Sequence, residues 1–500
     1  MALLIENTER RLLPTWKSFT SSFPELQPIR PSNMEKGDIS SFVHDWKDCK
    51  NLANAGDLIS AAIVNARTEE AEVIEAANYI LFSDNTPSPA LSKVSKSILQ
   101  IDDKEIERGG NFEIYLRIAK IKDLLIKYPT DAILHIEIAR NYLLLGQIKN
   151  AQNHVDIALY IDCHNRYITR CAARFYIHVK EYEKALHIVR RSSLTKIDPW
   201  LMASEIGISQ LLNKTSRNIK KGLAIIDSNN YNIFDITELC SAIGTQELMS
   251  GAYSKCRKLF NTSLEMPNSN SLAQAKWVSN EDNIELNFGH VNFNSGNFWE
   301  AKCYNSFKME DYEKSLDFAK QWIEQEPYST RAILQAYGLS VTYLHNLSQG
   351  QEIMEKAMRT HIGNPVFINN YAYALTLDGK IEEAERVISK IKKIDLSSTS
   401  TEDICLTATK GMIAFRKGDV DKGMSLYINA IEKSRDRTDY PELNYSALLN
   451  FCREILIYEN STENKNYVLS IMEKLPQDDK NKELVNLREQ VTALLNNECE

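Results

Sequence analysis

Cys163-His164, with His154 and Asp156 nearby, is the most metal-like cluster in the sequence. Zinc is held by Cys and His in short regular pairs, because two ligands from one turn must reach one ion. These four residues match no such spacing. The nine cysteines are scattered and form no C-x-x-C pair, which removes the zinc-ribbon and thioredoxin patterns. Nothing in the spacing singles out one of them, with one of the nine histidines, as an activated nucleophile. There is no phosphate-binding G-x-x-x-x-G-K-[ST], no dinucleotide G-x-G-x-x-G after a strand, no H-E-x-x-H and no G-x-S-x-G. The acidic pairs Glu69-Glu70 and Glu382-Glu383 fall at helix starts, where the helix dipole favours negative charge. The expectation is a non-enzymatic chain with no catalytic residue, metal or cofactor.

The elements are correspondingly simple. Of 500 residues, 43% are apolar and 25% charged, ordinary for a folded chain. Only 18 glycines and 13 prolines punctuate it, too few for a β-rich protein of this length. A net charge of −8 provides no global basic excess for nucleic acid. The opening "MALLIENTERRLLP" has an apolar run too short for a signal peptide. No run of 18 apolar residues is present, so no membrane span is expected. The odd number of irregularly spaced cysteines suggests reduced thiols and a cytoplasmic location.

A repeat organises the rest. In "NPVFINNYAYALTLDGKIEEAERVISKIKKID", Ala372, Leu375, Ile381, Ala384, Ile388 and Ile391 are small or apolar at helical spacing. Gly379 is suited to the left-handed cap that ends the first of two helices. Upstream, Ala139, Tyr142 and Ala151 are followed 34 residues later by Ala173, Tyr176 and Ala185. Related stretches carry Gly244, Cys256, Phe260 and Leu264; Cys303, Tyr312, Ser315, Ala319 and Pro327; Tyr337, Gly350 and Ala357; and Gly411, Gly423, Tyr427 and Ala430.

This pattern resembles the tetratricopeptide repeat, with small residues at its eighth and twentieth positions and aromatic or aliphatic ones at its eleventh and twenty-fourth. The resemblance covers about residues 130 to 435 and departs at 192–236 and 265–297. It implies an all-α, right-handed superhelical solenoid of helix hairpins whose first helices line a concave groove for a peptide or helix of another protein. On this resemblance, Glu137, Arg140, Tyr167, Arg170, Arg174 and His178 face the groove, as do Asn369, Asn370 and Tyr373 further along. Guanidinium groups grip carboxylates bidentately, so an acidic partner segment is expected at Arg140, Arg170 and Arg174. Asparagine donates and accepts at once, and so suits the backbone of an extended peptide. Trp200, Trp299 and Trp322 are expected in inter-repeat packing. The Lys/Asn/Arg set that clamps a terminal carboxylate in chaperone-binding members is not found.

The expected organisation is a helical region over 1–110, either divergent repeats or a partner-binding cap, repeats over 111–267, a degenerate repeat or loop over 268–297, repeats over 298–435, and C-terminal capping helices over 436–500. The expected function is that of a protein–protein interaction scaffold or adaptor, a regulatory subunit of a microbial multi-protein assembly. A peptide-sensing regulator that changes shape on binding is the alternative. Direct nucleic-acid binding is not expected, since neither a basic stripe nor a regular two-residue code is present.

Overall fold

Asp and Asn side chains start most of the first helices, and that is where the hairpins begin. In the computed structural model, Asp131, Asn165, Asp198 and Asn364 each accept backbone N–H bonds from the turn that follows. Such caps satisfy donors that the helix itself leaves open. Pro199 and Pro365 sit directly after two of them, where the missing N–H costs nothing. The structure describes residues 10–18, 37–65, 67–82, 87–99, 111–279, 284–289, 291, 293, 297–391, 400–438, 440–476 and 481–496. Cys499 lies outside them. Among the described residues the regular structure is all helical.

The chain divides into two compact units, Glu9–Tyr304 and Asn305–Glu500. In the first, α1 (Ser40–Asp48), α2 (Leu52–Val64), α3 (Ala71–Phe82) and α4 (Pro89–Ile98) gather around Trp46, Leu58, Ile59, Val73 and Ile80. Then comes α5 (Asn111–Lys127). Hairpins follow: α6 (Ala132–Leu144) with α7 (Ile148–Ile161), α8 (Arg166–His178) with α9 (Tyr182–Arg191), α10 (Pro199–Leu211) with the short α11 (Ile219–Asp227), and α12 (Ile233–Met249) with α13 (Tyr253–Glu265). The stretch 268–297 opens as a helix, α14 (Ser269–Val278), and its described residues from 284 on are irregular. There Phe288, Val291 and Phe293 pack on the cluster around Phe260 and Leu272. α15 (Trp299–Lys308) crosses the division.

The second unit continues with α16 (Tyr312–Gln325), α17 (Thr330–Gly338), a π turn at Leu339–Tyr343, and α18 (Leu347–Thr360). Next are α19 (Pro365–Leu377) with α20 (Ile381–Ser389), then α21 (Thr401–Arg416) with α22 (Val420–Arg435). It ends in α23 (Glu442–Tyr458), α24 (Thr462–Met472) and α25 (Lys482–Asn496).

The small positions are the helix crossings. Ala139, Ala151, Ala173, Ala185, Ala372 and Ala384 are all fully buried. A Cβ at Gly411 would come 2.9 Å from the Tyr427 ring, and one at Gly423 2.7 Å from Phe415. Interiors packed to crystal-like density leave no room for such additions. Gly379 has φ +76°, the left-handed conformation that closes α19. Trp200 and Trp322 are buried, in keeping with the packing expectation, whereas Trp299 is only half-buried.

The metal-like group of the sequence resolves into packing between α6 and α7. His135 Nε2 lies 3.2 Å from the Pro129 carbonyl, and its Nδ1 lies 2.9 Å from Nδ1 of His154. If His135 donates to the carbonyl, its Nδ1 must accept, and His154 donates to it. His154 also stacks on Tyr142, ring centroids 5.6 Å apart. His164 turns instead to Ser193 Oγ at 3.2 Å.

Burial, then the neighbouring His135, then Lys122 push His154 down from 6.5 to about 4. The unfolded chain therefore takes up this proton first. Stability from this group is full above about pH 6.5, is lost as pH falls toward 4, and levels off below. His154→Gln, which keeps a donor but cannot titrate, is expected to flatten that part of the thermal-midpoint-versus-pH curve. A curve parallel to wild type between pH 6.5 and 4 would contradict this.

Candidate partner-binding groove

The chain's own residues 10–18 lie along the first-helix face of the unit 9–304. Pro14 removes a donor and fixes φ, and the segment is not helical. It runs from α14 and α15 back to α6. Three side chains read its main chain. Gln274 Nε2 donates to the Arg10 carbonyl at 2.8 Å, Asn270 Nδ2 to the Leu13 carbonyl at 2.9 Å, and Tyr167 Oη to the Lys17 carbonyl at 2.9 Å.

Other contacts read side chains. The Arg10 guanidinium meets Glu300 in a bidentate pair at 2.9 and 2.8 Å. It also donates to Gln274 Oε1 at 2.6 Å and Asn270 Oδ1 at 3.1 Å. Leu12 is 1% exposed and packs with Met202, Ala203, Ile206, Leu239 and Ala242. Trp16 is fully buried, edge-on to Phe175 at 6.3 Å. Lys17 Nζ reaches Ser269 Oγ at 2.5 Å, and Ser18 Oγ reaches Glu137 Oε2 at 3.2 Å.

Local structure explains the fit. Asn268 and Ser271 form a capping box that starts α14. Asn270 and Gln274 then lie four residues apart on one helix face. Gln274 is braced by Thr245 Oγ1 at 3.0 Å, and Asn270 by Glu238 Oε1 at 3.4 Å. Gly207 of α10 gives the segment room. A Cβ there would stand 2.1 Å from the Leu12 carbonyl oxygen.

Of the residues named from the sequence in this unit, Tyr167 and Glu137 touch the segment directly. Arg170 is fully buried on α8. Its Nη1 and Nη2 pair with Glu238 at 2.8 and 3.2 Å, and Nη1 also donates to Ser204 Oγ at 3.1 Å. Its guanidinium lies over Trp200, 5.2 Å from the ring centre. Arg140 is buried on α6, while Arg174 and His178 are half-buried on α8.

The expectation of an acidic occupant meets a different arrangement. The segment present carries Arg10, Arg11 and Lys17, and it faces the carboxylates of Glu137 and Glu300. Arg170 already has its carboxylate in Glu238. Counting cations by register left out the acids brought alongside them by neighbouring helices.

In the second unit, Asn369, Asn370 and Tyr373 lie within α19 and are buried. Tyr337 Oη donates to the Asn370 carbonyl at 2.7 Å, and Asn369 Nδ2 to Asn370 Oδ1 at 3.3 Å. Tyr373 Oη donates to Asn450 Oδ1 at 3.1 Å and accepts from Arg453 Nη1 at 3.3 Å. Here α25 covers the site: Asn486 Nδ2 donates to the Thr342 carbonyl at 3.1 Å. A cavity of about 190 Å³ remains between Tyr373, Leu377, Arg453, Glu483, Asn486 and Gln490.

Gly207, Asn270, Gln274 and Glu300 were not singled out from the sequence. The irregular chain after α14 breaks the 34-residue register, so positions there could not be assigned. The capping-box residues Asn268 and Ser271, followed by Leu272, Ala275 and Val278, were the signal available for α14.

Two substitutions separate groove from core. Gly207→Ala favours helix by roughly 0.5–1 kcal/mol intrinsically but forces the Leu12 backbone away. The expected result is retained helicity with hydrogen exchange of residues 10–18 raised at least tenfold; unchanged exchange would refute the close approach. Arg170→Ala leaves Glu238 buried without its guanidinium partner. An unfolding free energy lower by about 3–5 kcal/mol is expected from denaturant titration, largely recovered in Arg170→Met with Glu238→Leu.

No family model matches the chain, and no curated protein matches it. Among solved structures it is similar to yeast Tom70, at 12% identity and a TM-score of 0.33, over 89% of this chain and 95% of that one. It is also similar to a tetratricopeptide repeat protein from Parabacteroides merdae, at 12% identity and a TM-score of 0.25, over 63% and 97%. A third similarity is to the APC/C hetero-tetramer Cut9-Hcn1, at 10% identity and a TM-score of 0.34, over 91% and 92%. By its own hairpins, with small residues at the crossings and left-handed turns between helices, the described chain is an all-α array of helix pairs that resembles tetratricopeptide repeats.

Proposed function

We propose that the chain is a non-enzymatic interaction scaffold of a microbial, cytoplasmic assembly, and that the first-helix groove of residues 9–304 binds an extended segment of another protein. The observation that carries this reading is the main-chain readout by Gln274, Asn270 and Tyr167. Every residue offers a carbonyl, so donors aimed at carbonyls accept many sequences, and the side-chain pockets then select among them. Burial pushes the thiols of Cys240, Cys405 and Cys452 up to about 12 and that of Cys256 up to about 11, which leaves little thiolate to act as a nucleophile. Among the described residues, no helix is long and apolar enough to cross a membrane.

Proteins enriched on the full-length chain should be cross-linked in place and the cross-links mapped by mass spectrometry. Links from the partner are expected on the first-helix face of α8, α10, α12 and α14. Links confined to the second helices or to α1–α4 would reject the groove as the binding surface.

A further inference from the structure

We infer that residues 10–18 are an intramolecular stand-in for the partner segment, and that they hold the groove until a segment of the same pattern displaces them. This rests on the reading of the groove given above and names its ligand more closely. The pattern is an arginine, an aliphatic residue two positions later and a tryptophan six positions later, as in Arg10, Leu12 and Trp16, in non-helical chain that turns tightly at Leu12, where the Leu13 N–H donates to the Arg11 carbonyl at 2.9 Å. Each of the three has a built receptor.

The arginine site is the most specific. Glu300 offers two carboxylate oxygens to the guanidinium, and Gln274 and Asn270 offer amide oxygens to its remaining donors. Lysine, a point charge without the planar fork, cannot reproduce that set. The aliphatic site is apolar, and its depth is set by Gly207, whose missing Cβ lets the backbone down onto α10. At the far end, the tryptophan site is walled by Phe175.

Occupation in cis does not make the segment a core element like the others. It lends no helix to the hairpins, and its main chain is held chiefly by side-chain amides and a phenol. A tether of this kind supplies its ligand at an effective concentration on the order of millimolar. A free peptide of the same sequence therefore meets a wild-type groove whose apparent Kd is no lower than about that concentration. A natural partner must bind more tightly or attach at a second point. The segment is thus a threshold as well as a template.

The test uses the full-length chain and a fluorescein-labelled peptide with the sequence of residues 9–18. Arg10→Glu with Trp16→Ala weakens only the tethered segment, because the groove residues are untouched. In anisotropy titrations the peptide should bind this variant at least tenfold more tightly than wild type. Peptides with the equivalent Arg→Glu or Trp→Ala change should lose at least tenfold on the same variant. Adding Glu300→Arg to that variant should reverse the preference at the arginine position. In wild type, millimolar peptide should raise hydrogen exchange at residues 10–18, a readout that needs no variant to fold.

If the peptide binds the variant but leaves exchange at 10–18 in wild type unchanged, displacement is refuted while the groove still binds extended chain. If the peptide binds neither protein and the variant keeps its helicity, the groove reading fails with it. Wild-type dimers joined by exchanged N-terminal segments in sedimentation would overturn the assignment to another protein's segment.

Discussion

Each hairpin depends on the close approach of two helices at a residue with almost no side chain. Ala139 with Ala151, Ala173 with Ala185 and Ala372 with Ala384 are buried without remainder. Gly411 and Gly423 face Tyr427 and Phe415 at distances that exclude even a methyl group. Larger residues there would part the helices. The aromatic rings packed beside them would then lose the dense contacts that make burial favourable. Core formation is thereby spread along the chain, each pair relying on its neighbours, as in repeat proteins generally.

That arrangement leaves a face to be covered. The first helices are buried on nearly every side, as in α6 from Leu134 to Leu143 and α10 from Pro199 to Gln210. Their inner faces carry large apolar groups such as Phe175 and Ile206 beside polar ones such as Glu137 and Glu238. Each unit covers this face differently. Residues 9–304 use a non-helical segment that brings Leu12 and Trp16, together with carbonyls for Asn270, Gln274 and Tyr167. Residues 305–500 use the helix α25, which buries Leu484, Leu487 and Val491. The non-helical segment leaves carbonyls open to side-chain donors, whereas a helix satisfies its own backbone internally. The proposal that the first unit binds a peptide rests on this difference.

Charge inside the first unit is arranged in pairs rather than as a patch. Arg170 with Glu238, Arg166 with Asp198 and Arg10 with Glu300 are all largely removed from water. Such pairs are weak sources of net stability but costly to break singly. Of the three, Arg10 with Glu300 joins the segment to the groove, so a slip of the segment would leave that carboxylate without its guanidinium.

The hairpins were legible in the residues alone. Their period, the alanines and glycines at the crossings, Gly379 at its turn and the burial of Trp200 and Trp322 all follow from local spacing, because helix formation and capping are local. The sequence also named Tyr167 and Glu137 as groove residues, since position along a helix fixes the face. Only the tertiary structure decided what lies on that face. Arg10 and Glu300 are 290 residues apart and Arg170 and Glu238 are 68 apart, separations that no period connects. Whether an arginine on a helix face meets a ligand or a carboxylate from another repeat depends on side chains that the stacking of hairpins brings together, and that stacking is absent from any one stretch of sequence.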